Sequence, residues 1–113
     1  MHTRNILLAS LLFALCGCQP EVPEKYANRA TEWRLADKTG CFMCHTPGKN
    51  LLGPAWEAVA ERYRNNPDAE AYLMDKILNG GGGAWINRNM PGYPEKLLTE
   101  AERRMLAKFI MSL

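Results

Sequence analysis

Histidine is scarce in this chain: there are two in 113 residues, His2 and His45. Cysteine is limited to four, in the close pairs Cys16/Cys18 and Cys41/Cys44, and neither spacing matches the disulfide framework of a small secreted domain. No apolar run approaches the ~20 residues that cross a bilayer comfortably. No segment alternates convincingly between apolar and polar residues, and glycine and proline interrupt the chain too often for long strands. There is no basic stripe with interleaved aromatics, and a formal net charge of +2 leaves no footprint for nucleic acid. Repeats and low-complexity blocks are absent apart from the run Gly80 to Gly83. What remains is one small helical domain. A chain this short buries a limited core and often needs a staple. A large apolar cofactor at its centre would act as one.

The first residues read as an address. Arg4 is followed by an apolar run from Ile6 to Leu15. A positive start and a run of about ten apolar residues match a signal peptide. The run ends in Leu15-Cys16-Gly17-Cys18, which resembles the lipobox of bacterial lipoproteins, with Leu15 and Gly17 in the matching places and Cys16 where a smaller residue is usual. The resemblance implies cleavage after residue 17 and lipidation of Cys18; the alternative is an ordinary secretory leader cut nearby. Acyl chains anchor through ~0.8 kcal/mol per buried methylene. Gln19 after the cysteine favours, by the same resemblance, the outer membrane of a Gram-negative cell. Residues 18–26, with Pro20 and Pro23, read as a short extended tether, and residues 27–113 as the folded domain.

Within that domain the patterning predicts four helical segments. The first runs over 27–39 and stops at Gly40, a suitable C-terminal glycine. The second starts at Pro54, a favoured first helical position. It places Trp56, Val59, Ala60 and Tyr63 on one face. The third starts near Pro67 and Asp68, carries Tyr72, Leu73 and Ile77, and ends at Gly80. The fourth has Thr99 and Glu102 as a capping box, then an apolar stripe of Leu106, Phe109, Ile110 and Leu113. The fold class is therefore all-α, with four or five short helices. Between the third and fourth lies a long loop, 80–98, containing Trp85, Met90, Pro91, Gly92, Tyr93 and Pro94. Loops of this length in a compact domain are often functional, and a flat cofactor would give this one a surface to pack against.

The chemistry sits in Cys41-Phe42-Met43-Cys44-His45, a C-x-x-C-H sequence and the signature of haem c attachment. Two intervening residues let a helical turn bring both thiols to the two vinyl groups of a haem, and the following imidazole then faces the iron. A dithiol redox site expects a βαβ setting that is not visible here. A zinc site needs four ligands, and outside the leader only this segment supplies cysteine or histidine, so a carboxylate would have to complete it. Haem c uses all three residues at once. With no second histidine after processing, a monomer has no bis-histidine option. Methionine is the natural sixth ligand, its soft thioether favouring ferrous iron. Met43 is too near His45 to reach the opposite face. Met74, Met105 and Met111 fall in helical segments, where packing is the ordinary role. Met90 stands alone in the long loop, far from His45 and stiffened by Pro91.

These features, together with Gly53-Pro54 up to nine residues after His45, Trp85 five residues before Met90, and the final helix from Thr99, resemble the short bacterial class I cytochromes c over residues 27–113. The resemblance implies one covalent haem c held by Cys41 and Cys44, with His45 and Met90 as axial iron ligands. It also implies a Pro54 carbonyl accepting the His45 N–H, an indole N–H from Trp85 to a propionate, and Lys76 near the same group. Lys49 is a candidate docking charge. Function follows as one-electron transfer between respiratory redox protein partners, such as a quinol-oxidising complex and a terminal reductase or oxidase. The protein would work on the periplasmic side of the envelope, tethered through Cys18, or in the soluble periplasm if unlipidated. Alternatives are a permanent haem subunit of a larger oxidoreductase, or an open-iron enzyme or gas sensor. The run Gly80 to Gly83 and a slightly long stretch after Met90 depart from the family pattern.

Overall fold

The structure is a computed structural model that describes residues 17–85 and 89–113. The expected leader, 1–17, therefore lies outside the described residues except for Gly17. Four helices form the domain: α1 (Ala30–Lys38), α2 (Trp56–Tyr63), α3 (Ala69–Asn79) and α4 (Glu100–Met111). Short 3₁₀ turns cover Glu24–Arg29 and Cys41–Met43. Among the described residues there is no strand, only an isolated antiparallel bridge between Gly81 and Met90, and no helix is long and apolar enough to cross a membrane.

Helix α4 organises the core, packing against α1, α2 and α3. Its start is fixed as the sequence predicts. The Glu102 backbone N–H donates to Thr99 Oγ1, and the Thr99 N–H donates to the Glu102 carboxylate at 2.9 Å. Two orphan donors of the first turn are thus satisfied. Its buried stripe is Leu106, Ala107, Phe109 and Ile110. Opposite lie Trp56 and Val59 of α2 and Leu73 and Ile77 of α3. Phe109 is fully enclosed and meets the edges of Tyr26 and Trp56 at 6.1 and 5.9 Å between centroids.

Two boundaries differ from expectation. The folded region begins at Glu24, inside the predicted tether. Tyr26 is buried, stacks on Trp33 at 4.8 Å, and carries its turn into the core. The Arg29 guanidinium, 5.1 Å from the Phe109 ring, also donates to Ser112 Oγ at 2.7 Å, fastening this turn to the chain end. Helix α2 begins at Trp56, not Pro54, because Ala55 is extended and Pro54 is engaged elsewhere. The first helix, in turn, ends as predicted, with Gly40 left-handed at φ +79°.

The turn before α4 is held by Arg103, a buried arginine. It donates to the Leu98 carbonyl at 2.5 Å and pairs with the exposed Glu95 carboxylate at 2.8 Å. That hydrogen bond from Arg103 holds the Glu95 carboxyl below the ordinary carboxylate range.

Truncating the enclosed ring tests this packing. Phe109→Ala is expected to destabilise the protein by about 3–5 kcal/mol, read as a lower denaturant midpoint at unchanged slope.

Candidate haem site

The attachment segment is built by a reversal and a tight turn. Left-handed Gly40 ends α1 and swings the chain back. The Cys44 and His45 backbone N–H groups then both reach the Cys41 carbonyl, at 3.2 and 2.9 Å. This curl puts Cys41, Cys44 and His45 around one hollow. The two residues between the cysteines point to different environments. Phe42 packs between Trp33 and Trp56, at 4.4 and 5.3 Å, and anchors the turn in the core. Met43 is 77% exposed. Cys41 and Cys44 are half-buried free thiols. Burial pushes the Cys41 thiol pKa up, opposed by Thr39, whose Oγ1 lies 3.4 Å from the sulfur.

His45 is held in one tautomer. Its Nδ1 lies 2.8 Å from the Pro54 carbonyl oxygen. A carbonyl only accepts, so Nδ1 carries the proton and Nε2 keeps its lone pair. Burial lowers the imidazole pKa, the Pro54 bond opposing, so the ring is held neutral. The ring also lies near Trp56, 5.8 Å away and tilted by 28°. Gly53 presses against it so closely that a Cβ there would sit 2.5 Å from Cε1. The backbone behind is knitted by Gly53 N–H to the Cys44 carbonyl at 2.7 Å and Trp56 N–H to the Thr46 carbonyl at 3.0 Å.

The facing wall comes from the long loop. Gly81 and Met90 exchange backbone hydrogen bonds at 2.9 and 3.0 Å, closing the loop into a strap at its base. Gly80, at φ +65°, lets the Met90 carbonyl and Gly92 pass against the end of α3. Gly92 is equally constrained, since a Cβ there would lie 2.6 Å from the Leu78 carbonyl oxygen. The Tyr93 N–H then donates to the Ile77 carbonyl at 2.8 Å.

Two clefts, about 260 and 50 Å³, share Cys44, His45 and Met90. The larger adds Pro54, Lys76 and Trp85; the smaller adds Cys41 and Tyr93. Every cofactor residue expected from the sequence therefore meets at one place. Cys18 does not: it is exposed in the irregular segment before the first turn. Lys49 is also exposed and lines neither cleft. The Lys76 ammonium sits 5.5 Å from the Tyr72 ring centre. Burial raises the phenol pKa values of Tyr63 and Tyr93, so these walls stay uncharged. Sequence reasoning missed Arg62, whose guanidinium lies 4.6 Å from the Trp85 ring centre. It also missed the steric need for Gly92. Neither has a motif to reveal it.

The donor set fits a haem c. Two thiols, an imidazole with a free Nε2 and a methionine line the same clefts, and the walls are mostly apolar and aromatic. Among the described residues, no three His, Cys, Asp or Glu side chains converge as a metal site of their own.

Comparison with known proteins agrees. Residues 34–113 match the cytochrome c family. The chain is similar to cytochrome c2 of Rhodocyclus tenuis, 38% identical over 87 residues, covering 74% of this chain and 94% of that protein. It is 40% identical over 80 residues to cytochrome c-552 of Hydrogenobacter thermophilus, covering 71% and 79% respectively. The crystal structure of Nitrosomonas europaea cytochrome c552 superposes with a TM-score of 0.65 at 35% identity, covering 70% of this chain and 95% of that one. The chain belongs to the cytochrome c family, small electron carriers rather than enzymes, each holding one covalent haem c.

Proposed function

We propose that this protein is a monohaem one-electron carrier tethered to the periplasmic side of the cell envelope. In this reading Cys41 and Cys44 would form the thioethers, and His45 Nε2 and Met90 Sδ would hold the iron. The observation that carries it is the His45–Pro54 hydrogen bond, which leaves Nε2 as the one open imidazole donor beside a cleft that Met90 also lines.

The haem supplies reversible one-electron iron chemistry. The chain's own residues do the rest. Pro54 fixes the imidazole ring and raises its basicity as a ligand. Gly53 and Trp56 confine it from two further directions. Held by both His45 and Met90, a bound haem would leave no position for an exogenous ligand. Such a site passes electrons without binding small molecules. The aromatic and aliphatic walls exclude water and favour a high potential. Lys76 and Trp85 line the same cleft and supply a cation and an indole donor suited to propionates. The redox protein partners meet this carrier through small, transient contacts, with Lys49 a nearby charge to help steer them.

Residues 17–23 carry no regular structure, and Cys18 within them is exposed. That placement supports a lipid anchor on Cys18 with a short lead before the folded region at Glu24. The sequence context favours the outer membrane.

Three variants test this reading. Met90→Ala is expected to keep the haem covalently bound. It should lower the reduction potential by on the order of 0.1 V, within the ~0.8 V that axial ligands span, and admit carbon monoxide; voltammetry and a carbon monoxide difference spectrum check both. Gly53→Ala should displace the imidazole, since the added methyl overlaps it. The expected sign is a partly high-spin ferric spectrum at unchanged haem content. Cys18→Ser should release the protein into the soluble periplasmic fraction, read by fractionation and by loss of acyl mass.

A further inference from the structure

The strap that leads to Met90 begins with a weak stretch. Gly81 and Gly83 have φ of +105° and +97°, and Gly81, Gly82 and Gly83 are all exposed. A Cβ at Gly83 would touch nothing within 4 Å. Three such residues in succession have no side chains to pack and the largest backbone entropy to lose on ordering. The Gly81–Met90 bridge closes the base of the strap. Trp85, four residues after Gly81, forms part of the cleft wall.

Arg62 reaches that point from α2. Its Nη1 donates to the Ala84 carbonyl at 2.5 Å, and its guanidinium carbon lies 4.6 Å from the Trp85 ring centre and 5.7 Å from that of Tyr63. Among the described residues Arg62 makes no ion pair, whereas nearby Arg64 is engaged with Glu61 at 3.2 Å. The Arg62 side chain is thus committed to the strap and the aromatic faces beside it. A guanidinium can donate in its plane while lying over a ring, and an ammonium cannot do both in the same way.

We infer that Arg62 is a positioning residue, a latch that fixes the glycine-rich strap and Trp85 against α2 and thereby keeps Met90 seated over the cleft. This rests on Met90 being the sixth ligand. Without the latch, Gly81 to Ala84 move more freely, Trp85 loses its lid, and the thioether leaves its place more often. Haem attachment through Cys41 and Cys44 should be untouched, because Arg62 lines neither cleft.

The test uses the full, haem-loaded protein with Arg62→Gln, Arg62→Lys and, as control, Arg64→Gln. Imidazole titration of the ferric form reports how readily the sixth position opens, and the near-red thioether-to-iron absorption band reports Met90 ligation. Amide hydrogen exchange over 81–84 follows the strap without reference to the iron. Arg62→Gln should bind imidazole roughly tenfold more tightly, equivalent to 1.4 kcal/mol, with faster strap exchange. Arg62→Lys should recover less than half of the difference, and Arg64→Gln should match the parent. The latch is overturned if Arg62→Gln matches the parent in imidazole affinity and exchange, or if Arg62→Lys restores both fully, since charge alone would then suffice. A parent protein without the near-red band would instead refute Met90 ligation, which separates the two failures.

Discussion

The site depends on one hydrogen bond, from His45 Nδ1 to the Pro54 carbonyl at 2.8 Å. It determines which imidazole nitrogen is free, in which direction the ring is held, and where α2 can begin. Because the Pro54 carbonyl is turned toward His45, Ala55 stays extended and the helix waits until Trp56. Trp56 then returns the constraint by lying alongside the imidazole and by accepting Phe42 of the attachment turn as a neighbour. Ligand, loop and helix start are therefore settled together. The absence of a Cβ at Gly53 lets the backbone come close enough for this to happen.

The opposite wall relies on backbone more than on side chains. Gly80, Gly81 and Gly92 let the strap close on itself and against the end of α3. Beyond them Pro94 begins a turn that Arg103 fastens to α4 through Leu98 and Glu95. The protein thus sets a rigid imidazole side, backed by the aromatic cluster around Phe109, against a thioether side held by a few polar contacts. Such a division suits a carrier. In the proposed ligation, His45 is backed by Trp56 of the core, and Met90 sits on a segment whose grip can be tuned by single contacts such as the Arg62 latch.

Much of this was legible in the sequence because the signals were local. The cysteine spacing, the adjacent histidine, the Thr99–Glu102 capping box and the isolation of Met90 in a Gly/Pro loop each need only a few neighbouring residues to read. The four helices followed from apolar spacing. The misread boundaries had non-local causes. Tyr26 belongs to the core through Trp33 and Phe109, which lie 7 and 83 residues onward, and a short 3₁₀ turn has too few residues to display a period. Pro54 reads as a helix start from local signals alone, and its engaged carbonyl enters only through the family resemblance. Arg62 gave no sign of its role, since its acceptor is a main-chain oxygen 22 residues away.

Proton NMR of the reduced, haem-loaded protein tests the central claim most directly. A side chain held over the iron lies in the ring current of the porphyrin. One methionine methyl, assigned to Met90, should therefore resonate far upfield of its ordinary position, alongside a slowly exchanging His45 Nδ1 proton. If every methionine methyl resonated at its ordinary position, or the displaced one belonged to another residue, the two-sided grip on the iron described here would be wrong.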